Sequence, residues 1–175
     1  MKYLKIILLL IIVLTVFFFG KGFLTPSITY ESQISVNKSI EEAWSVVSDE
    51  SKVTDWLKSI KKIELVEGTA NTIGAVSNIY VVENGQEMLM QETITELVPN
   101  DHIAMTFTMG FMNMHYKLSM KEEDGKTRIH TISTTSGNGI FAKSMVSFMT
   151  GAMKAQEDEN LNNLKNVIEE NTTIY

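Results

Sequence analysis

Two side chains, Glu92 and His130, are the candidates for proton transfer in this sequence. Both lie in segments with strand-like patterning. Glu92 has the same strand parity as Met88, Met90 and Ile94, which directs its carboxylate toward an apolar interior. A carboxyl group in apolar surroundings holds its proton more tightly and is a candidate general base. The alternative is a β-bulge near Glu92, which would turn the side chain outward.

His130 is the second candidate, as a proton shuttle, provided that the face it shares with Ile132 and Thr134 is the inner one. His102 and His115 fall on polar faces, and we expect them to be solvated. The chain has no cysteine and neither a His-x-x-x-His pattern nor the clustered carboxylate spacing of a metal site, so we expect no metal ion. No nucleotide-binding or nucleophile motif is present, and we expect no cofactor and assign no catalytic residue beyond these two candidates.

Methionine is concentrated in one part of the chain, since ten of the 11 methionines lie between Met88 and Met153. This unbranched, polarisable side chain packs around varied shapes, and ligand pockets are mostly apolar with a few polar groups. We therefore predict an apolar cavity in which the Tyr116 hydroxyl is one polar group. The predicted wall comprises Met88, Met90, Met105, Phe107, Met109, Met112, Met114, Tyr116, Met145, Phe148 and Met149. A dry core built from the same residues is the alternative interpretation.

The N-terminal segment from Tyr3 to Leu24 is apolar and long enough to cross a bilayer core. Residues 17–21 lack the A-x-A-like arrangement of small residues at a signal-peptidase site, which favours an uncleaved anchor over residues 1–24. Lys2, Lys5 and the amino terminus outweigh Lys21, so the positive-inside bias predicts a cytoplasmic N-terminus and a domain outside the cytoplasm. Secretion after signal cleavage is the alternative.

The charge distribution excludes one class of partner. All 21 acidic residues follow residue 24, and the whole chain carries a formal net charge of −6. An acidic surface repels phosphate backbones, so we expect no nucleic-acid partner. Without cysteine there are no disulfides, and stability must come from the hydrophobic core.

The patterning beyond residue 24 predicts a short tether (residues 25–29) followed by one domain (residues 30–172). The predicted strands cover residues 30–36, 60–66, 75–82, 86–98, 102–109, 112–121 and 127–135, and the predicted helices cover 40–47, 50–57 and 140–170. Ser39 and Glu42 form a capping box, and Asn84-Gly85 predicts a hairpin turn. The long C-terminal helix carries an apolar stripe that includes Phe141, Met145 and Phe148, with residues 157–159 on its polar side.

The order of these elements resembles the helix-grip superfamily, also called START-like or SRPBCC, which includes polyketide cyclase/dehydrase-type domains. The resemblance extends over about residues 30 to 170 and is carried by Ile34 to Val36, Ser39 to Trp44, Ser48-Asp49, Trp56, Ile60 to Val66, Glu92 to Pro99, Ile103 and Gly125 to Ile129. It implies an α+β fold in which a curved antiparallel sheet wraps around a long C-terminal helix. It also implies an apolar cavity. The transmembrane helix that we expect before this domain is a departure from the family's commonest soluble form. The superfamily has no universal catalytic motif, and no catalytic residue is carried over.

Members of the superfamily bind lipids, sterols, polyketides or other hydrophobic molecules, and some catalyse reactions on them. We therefore expect a membrane-anchored binding domain for a hydrophobic small molecule or lipid. One alternative is an enzyme of cyclase, dehydratase or hydrolase type, acting on an apolar substrate with Glu92 or His130 as the base. Another is a protein-interaction module of the cell envelope, for which the sequence identifies no partner.

Overall fold

Segments with alternating apolar residues pair into one antiparallel sheet. The computed structural model describes residues 2–83 and 85–171, and in these residues the sheet has seven strands. They are β1 (Ser27–Val36), β2 (Ile60–Glu67), β3 (Val76–Glu83), β4 (Gln86–Val98), β5 (His102–Met109), β6 (Met112–Glu123) and β7 (Lys126–Gly137). Their order across the sheet is β1-β7-β6-β5-β4-β3-β2, so β2 to β7 form a meander and β1 pairs beside β7. The predicted hairpin turn includes Asn84, which lies outside the described residues.

The α-helices found in the described part of the chain are α1 (Lys2–Leu24), α2 (Ile40–Val47), α3 (Val53–Trp56) and α4 (Gly139–Glu170). The predicted capping box begins α2: the Glu42 backbone N–H donates to Ser39 Oγ, and the Ser39 backbone N–H donates to the Glu42 carboxylate. The helix predicted over residues 50–57 is instead a 3₁₀ turn (Glu50–Lys52) followed by α3, because the Asp49 side chain accepts from the Ser51 N–H and caps a separate tight turn. The predicted α+β class is confirmed.

The curved sheet grips α4 along one side, where the helix contacts β1 and β7. Leu161, Leu164 and Ile168 of α4 are buried in the main core together with Val36 and Ile129. Polar contacts follow the same line: the Ser32 hydroxyl donates to Asp158 Oδ1 at 2.5 Å, and Lys165 Nζ donates to the Ser35 carbonyl at 2.9 Å. The helix therefore runs along β1 with its C-terminal half in the core.

The last turns of α1 pack against the first turns of α4. A Cβ built at Gly22 would lie 2.2 Å from Ser144 Oγ and 2.6 Å from Ser144 N, so only glycine permits this approach of the two backbones. Phe18 stacks on Phe148 with a ring-centroid distance of 5.8 Å. Lys21 Nζ lies 4.3 Å from the centroid of the same Phe148 ring, in a cation–π contact. The apolar helix is thus joined to the domain by side-chain packing as well as by the chain.

This contact alters the stripe that the sequence predicts for α4. Phe141, Met145 and Phe148 are exposed, although their spacing predicts an inward face. The first turns of α4 instead bury Ala142 and Val146, because α1 and β1 approach too closely on that side for larger side chains. The large side chains are therefore turned toward the outside and toward α1.

The domain begins earlier than predicted. The strand β1 starts at Ser27, which pairs with Ser136, so residues 27–29 belong to the sheet rather than to a tether. The Thr25 N–H donates to the Lys21 carbonyl at 2.8 Å, which extends the helical hydrogen bonding past Leu24 and leaves little free chain before β1. Thr172, at the end of the predicted domain, lies outside the described residues.

Replacing Gly22 with valine should force α1 and α4 apart, because the new side chain overlaps the Ser144 backbone. Overpacking of this kind costs about 1–3 kcal/mol. Gly20→Val is the matched control, since no atom lies within 4 Å of a Cβ built at Gly20. Hydrogen exchange of the full chain in detergent micelles should show faster exchange in the first turns of α4 for Gly22→Val only. Equal protection in the two variants would contradict the packing.

Candidate ligand cavity

A cavity of about 690 Å³ lies between α4 and the inner face of the sheet. Its floor is formed by the part of β3 to β6 that α4 leaves uncovered, because the helix packs along β1 and β7. Trp44 of α2 and Trp56 of α3 close the cavity on a further side. The volume falls within the range of about 300–1,000 Å³ that is usual for small-molecule sites.

Methionine and aromatic side chains form much of the floor. The cavity is lined by the predicted residues Met88, Met90, Met105, Phe107, Met109, Met112, Met114, Tyr116 and Met149. In the β5–β6 pairing, Phe107 lies opposite Met114 and Met105 lies opposite Tyr116, so strand alternation brings both rows to the same face. The structure therefore collects side chains from four elements into one apolar surface.

Met145 and Phe148 do not belong to this wall, which corrects the prediction. Their exposed fractions are 38% and 46%, and neither lines the cavity. Phe148 packs on Phe17 and Phe18 of α1 instead. Both residues lie on the part of α4 that contacts α1, and Met149 is the predicted α4 residue that faces inward.

Glu92 lies on the inner face of β4 and lines the cavity. The register shift in the β4–β5 pair falls between Ile94 and Glu96, beyond Glu92, so the parity of Glu92 with the two β4 methionines is kept. Burial raises the pKa of Glu92 to about 7, and the negative charge of Glu50 contributes to the same shift. Within residues 2–83 and 85–171, no hydrogen bond or ion pair satisfies the Glu92 carboxylate.

His130 lies on the outer face of β7, so its predicted role as a proton shuttle in the cavity is wrong. Its Nε2 is 3.1 Å from Glu31 Oε2 on the neighbouring strand β1. The inner face of β7 is formed by Ile129, Thr131 and Ser133, which are buried. The strand has the alternation that the sequence predicts, but the odd-numbered residues from Ile129 to Ser133 point inward and His130 points outward.

The other histidines also lie away from the cavity. His115 is exposed on β6, and His102 is partly buried between Asp101 and Glu96. Throughout the part of the chain that the structure describes, no group of three or more histidine, cysteine or acidic side chains is positioned to hold a metal ion.

A second carboxylate, Glu157 of α4, lines the cavity. The prediction that residues 157–159 lie on the polar side of the helix is wrong for Glu157, because Glu157 lies four residues from both Met153 and Leu161 and shares their face. The Tyr116 hydroxyl donates to Glu157 Oε1 at 3.1 Å. Burial raises the pKa of Glu157, and burial together with the Glu157 charge raises the pKa of Tyr116 well above its usual value. The four-residue spacing was the signal that could have identified Glu157.

Aromatic side chains with polar atoms complete the wall. The Tyr30 hydroxyl of β1 donates to Met114 Sδ at 3.8 Å, and burial raises the pKa of Tyr30. The indole N–H of Trp56 is buried and has no hydrogen-bond partner among the residues described. The cavity is thus apolar over most of its surface, with a few hydroxyl, indole and carboxyl groups inside it.

A curved antiparallel sheet that wraps around a long C-terminal helix, with an apolar cavity between them, defines the helix-grip class of domain. The chain matches the family described as "Polyketide cyclase / dehydrase and lipid transport" over residues 27–169, and it belongs to that family. The predicted resemblance is therefore confirmed. No curated protein sequence matches the chain.

Several solved structures have a similar fold. The Zhui aromatase/cyclase from Streptomyces sp. R1128 has a TM-score of 0.70 and 16% identity, with 82% of this chain and 94% of that chain covered. Ara h 8.0201 has a TM-score of 0.66 and 16% identity, with 83% and 99% covered. TTHA0849 from Thermus thermophilus has a TM-score of 0.66 and 14% identity, with 83% and 100% covered. At these identities the similarity shows the fold, and function must be argued from the site.

Replacing Glu92 with glutamine should stabilise the protein increasingly as pH rises. The pKa of Glu92 is raised from 4.5 to about 7 by folding, so its contribution to stability is fully present below pH 4.5 and is lost as pH rises through about 7. Glutamine does not ionise, so its advantage over the wild type should grow by up to about 3 kcal/mol between these limits.

Denaturant unfolding of the full chain in detergent micelles, from pH 5 to pH 8, would measure this difference. Glu87→Gln, which removes an exposed carboxylate from the same strand, is the control for the loss of one surface charge. The same dependence of unfolding free energy on pH in wild type and Glu92→Gln would contradict the assignment.

Proposed function

We propose that this protein is a membrane-anchored domain that binds a hydrophobic small molecule or lipid in its methionine-rich cavity. The observation that carries the proposal is the cavity of about 690 Å³, whose floor of methionine and aromatic side chains adapts to an apolar body. The family description, which includes lipid transport, agrees with it.

The apolar helix α1 supports anchoring in a membrane. It has 23 residues, enough to span a hydrocarbon core of about 30 Å, and its residues from Tyr3 to Phe17 are exposed to the surroundings. Its last turns bury Gly22 against Ser144, so cleavage after the helix would uncover a packed face of the domain. This contact favours retention of α1 over its removal as a signal sequence, and the lysine distribution favours a domain outside the cytoplasm.

Anchoring is tested by the intact mass and topology of the protein in membranes. We expect a mass that includes residues 1–24, and digestion of the domain by protease added from the non-cytoplasmic side only. A mature mass that begins after Leu24 would support secretion, and digestion from the cytoplasmic side would reverse the topology.

Ligand binding is tested by transferring the full chain from its native membrane into lipid nanodiscs. Native mass spectrometry, followed by solvent extraction, would identify any molecule retained by the protein but absent from empty discs. We expect an apolar adduct at one molecule per protein. If the protein carries no adduct and does not take up an added neutral apolar fluorophore, the proposal is refuted in favour of a dry core.

A large side chain that fills the cavity should weaken binding of the apolar fluorophore. Ser77 of β3 is buried and lines the cavity beside Glu92 on the next strand, so phenylalanine at this position occupies ligand space. Asn78→Phe is the matched control, because strand alternation turns the next residue to the opposite face. We expect at least about tenfold weaker fluorophore binding for Ser77→Phe and unchanged binding for Asn78→Phe. If both variants bind the fluorophore with equal affinity, the fluorophore does not bind in this cavity.

An enzyme is the second candidate, and Glu92 is the observation that favours it. A carboxyl group whose pKa is about 7 is poised to exchange a proton near neutral pH, which is what a general base requires. Incubating the extracted ligand with wild-type protein and with Glu92→Gln would distinguish the two functions. Conversion by the wild type alone supports catalysis, whereas unchanged ligand in both supports binding.

A further inference from the structure

The charged side chains that line the cavity all have the same sign. Glu50 of the 3₁₀ turn, Glu92 of β4 and Glu157 of α4 contribute carboxyl groups from three separate elements. No lysine, arginine or histidine is found among the described residues that line it. Glu50 is exposed, so Glu92 and Glu157 are the acidic groups of the interior, and no basic residue in the described cavity wall balances them.

The basic residue that acts electrostatically on Glu157 does not change this balance. Lys154 Nζ lies 2.9 Å from both carboxylate oxygens of Asp158 and also donates to Ser32 Oγ at 3.4 Å. These partners hold its ammonium group at the exposed side of α4. Glu157 is bound instead by the neutral hydroxyl of Tyr116.

The aromatic part of the wall also favours a positively charged ligand. Trp44, Trp56, Tyr30 and Tyr116 all line the cavity. The negative faces of aromatic rings attract ammonium groups, and the attraction is larger where water is excluded. An anionic head group would instead enter a space of low dielectric beside carboxylates, with no cation to compensate its lost hydration.

We propose that the ligand is a hydrophobic cation, an apolar body that carries one ammonium group, with the ammonium group held by Glu92 and the apolar body against the methionine floor. This inference rests on the proposed binding function and specifies its ligand class. Glu92 is the partner because its carboxylate has no hydrogen bond or ion pair among the described residues, whereas Glu157 already accepts from Tyr116. A bound ammonium group supplies the opposite charge that Glu92 lacks.

Binding should therefore depend on pH. The ionisable groups that share the cavity with Glu92 are Glu50, Glu157, Tyr30 and Tyr116, and none of them is cationic. Burial and the Glu50 charge raise the pKa of Glu92 to about 7, so the ionised form that pairs with an ammonium group increases between pH 6 and pH 8. The affinity for a cation should rise over this interval, and the affinity for a neutral molecule of the same shape should not.

The test compares three probes that share one naphthalene ring: 1-naphthylmethylamine, 1-naphthalenemethanol and 1-naphthoate. Each is titrated by fluorescence into the full chain in phosphatidylcholine nanodiscs at pH 6 and pH 8, with empty discs as the blank. At pH 8 we expect the amine to bind at least about tenfold more tightly than the alcohol, and the carboxylate to bind most weakly. From pH 6 to pH 8 the amine affinity should increase by about fivefold or more.

Variants assign the effect to Glu92. Glu92→Gln should weaken amine binding by at least about fivefold while leaving alcohol binding within about twofold, and the retained alcohol binding reports an intact cavity. Glu87→Gln, on the exposed face of β4, should leave all three affinities unchanged. Amine binding that is unaffected by Glu92→Gln, or weakened equally by Glu87→Gln, would overturn the assignment to Glu92.

The remaining outcomes separate this inference from the proposed function. If the alcohol or the carboxylate binds as tightly as the amine, the cationic ligand class is wrong and the binding cavity stands. If none of the three probes binds, the inference is overturned, and if the protein also retains no adduct from its native membrane, the proposed binding function fails with it.

Discussion

The packing of α4 against β1 and β7 is the contact on which the cavity depends. Leu161, Leu164 and Ile168 bury the C-terminal half of the helix, and Asp158 and Lys165 add polar contacts to β1 along the same line. A helix held on one side of a curved sheet cannot also cover the other side. Part of the inner face of β3 to β6 is therefore left uncovered, and α2 and α3 enclose the space instead. The cavity begins where the close packing of α4 against β1 and β7 ends.

Enclosure explains the unusual ionisation of the groups inside. Glu92 and Glu157 lose hydration on folding, and burial raises the pKa of each. A carboxyl group in such a place costs stability whenever it is ionised, and an apolar side chain would avoid that cost. Ionisable groups whose burial lowers stability are characteristic of functional sites, which is why Glu92, whose carboxylate has no partner among the described residues, guides the assignment of the ligand.

The helix α4 connects three parts of the molecule. Its first turns contact α1 through Ser144 and Phe148, its middle lines the cavity with Met149 and Glu157, and its last turns lie in the main core. This arrangement explains why small residues replace large ones on the inner side of its first turns, where two backbones approach each other.

Much of the fold follows from the sequence, because strand alternation, the capping box at Ser39 and the apolar N-terminal segment are local signals. Alternation also identified most of the methionine floor, since residues on one strand face share a surface wherever the strand is placed. Periodicity groups residues by face, but it does not say which face is inward. Tertiary contacts determine which face is inward: His130 lies on the outer face, Glu157 lines the cavity and Phe148 packs on α1. These outcomes depend on contacts between residues far apart in the chain, such as Gly22 with Ser144, and no local pattern records them.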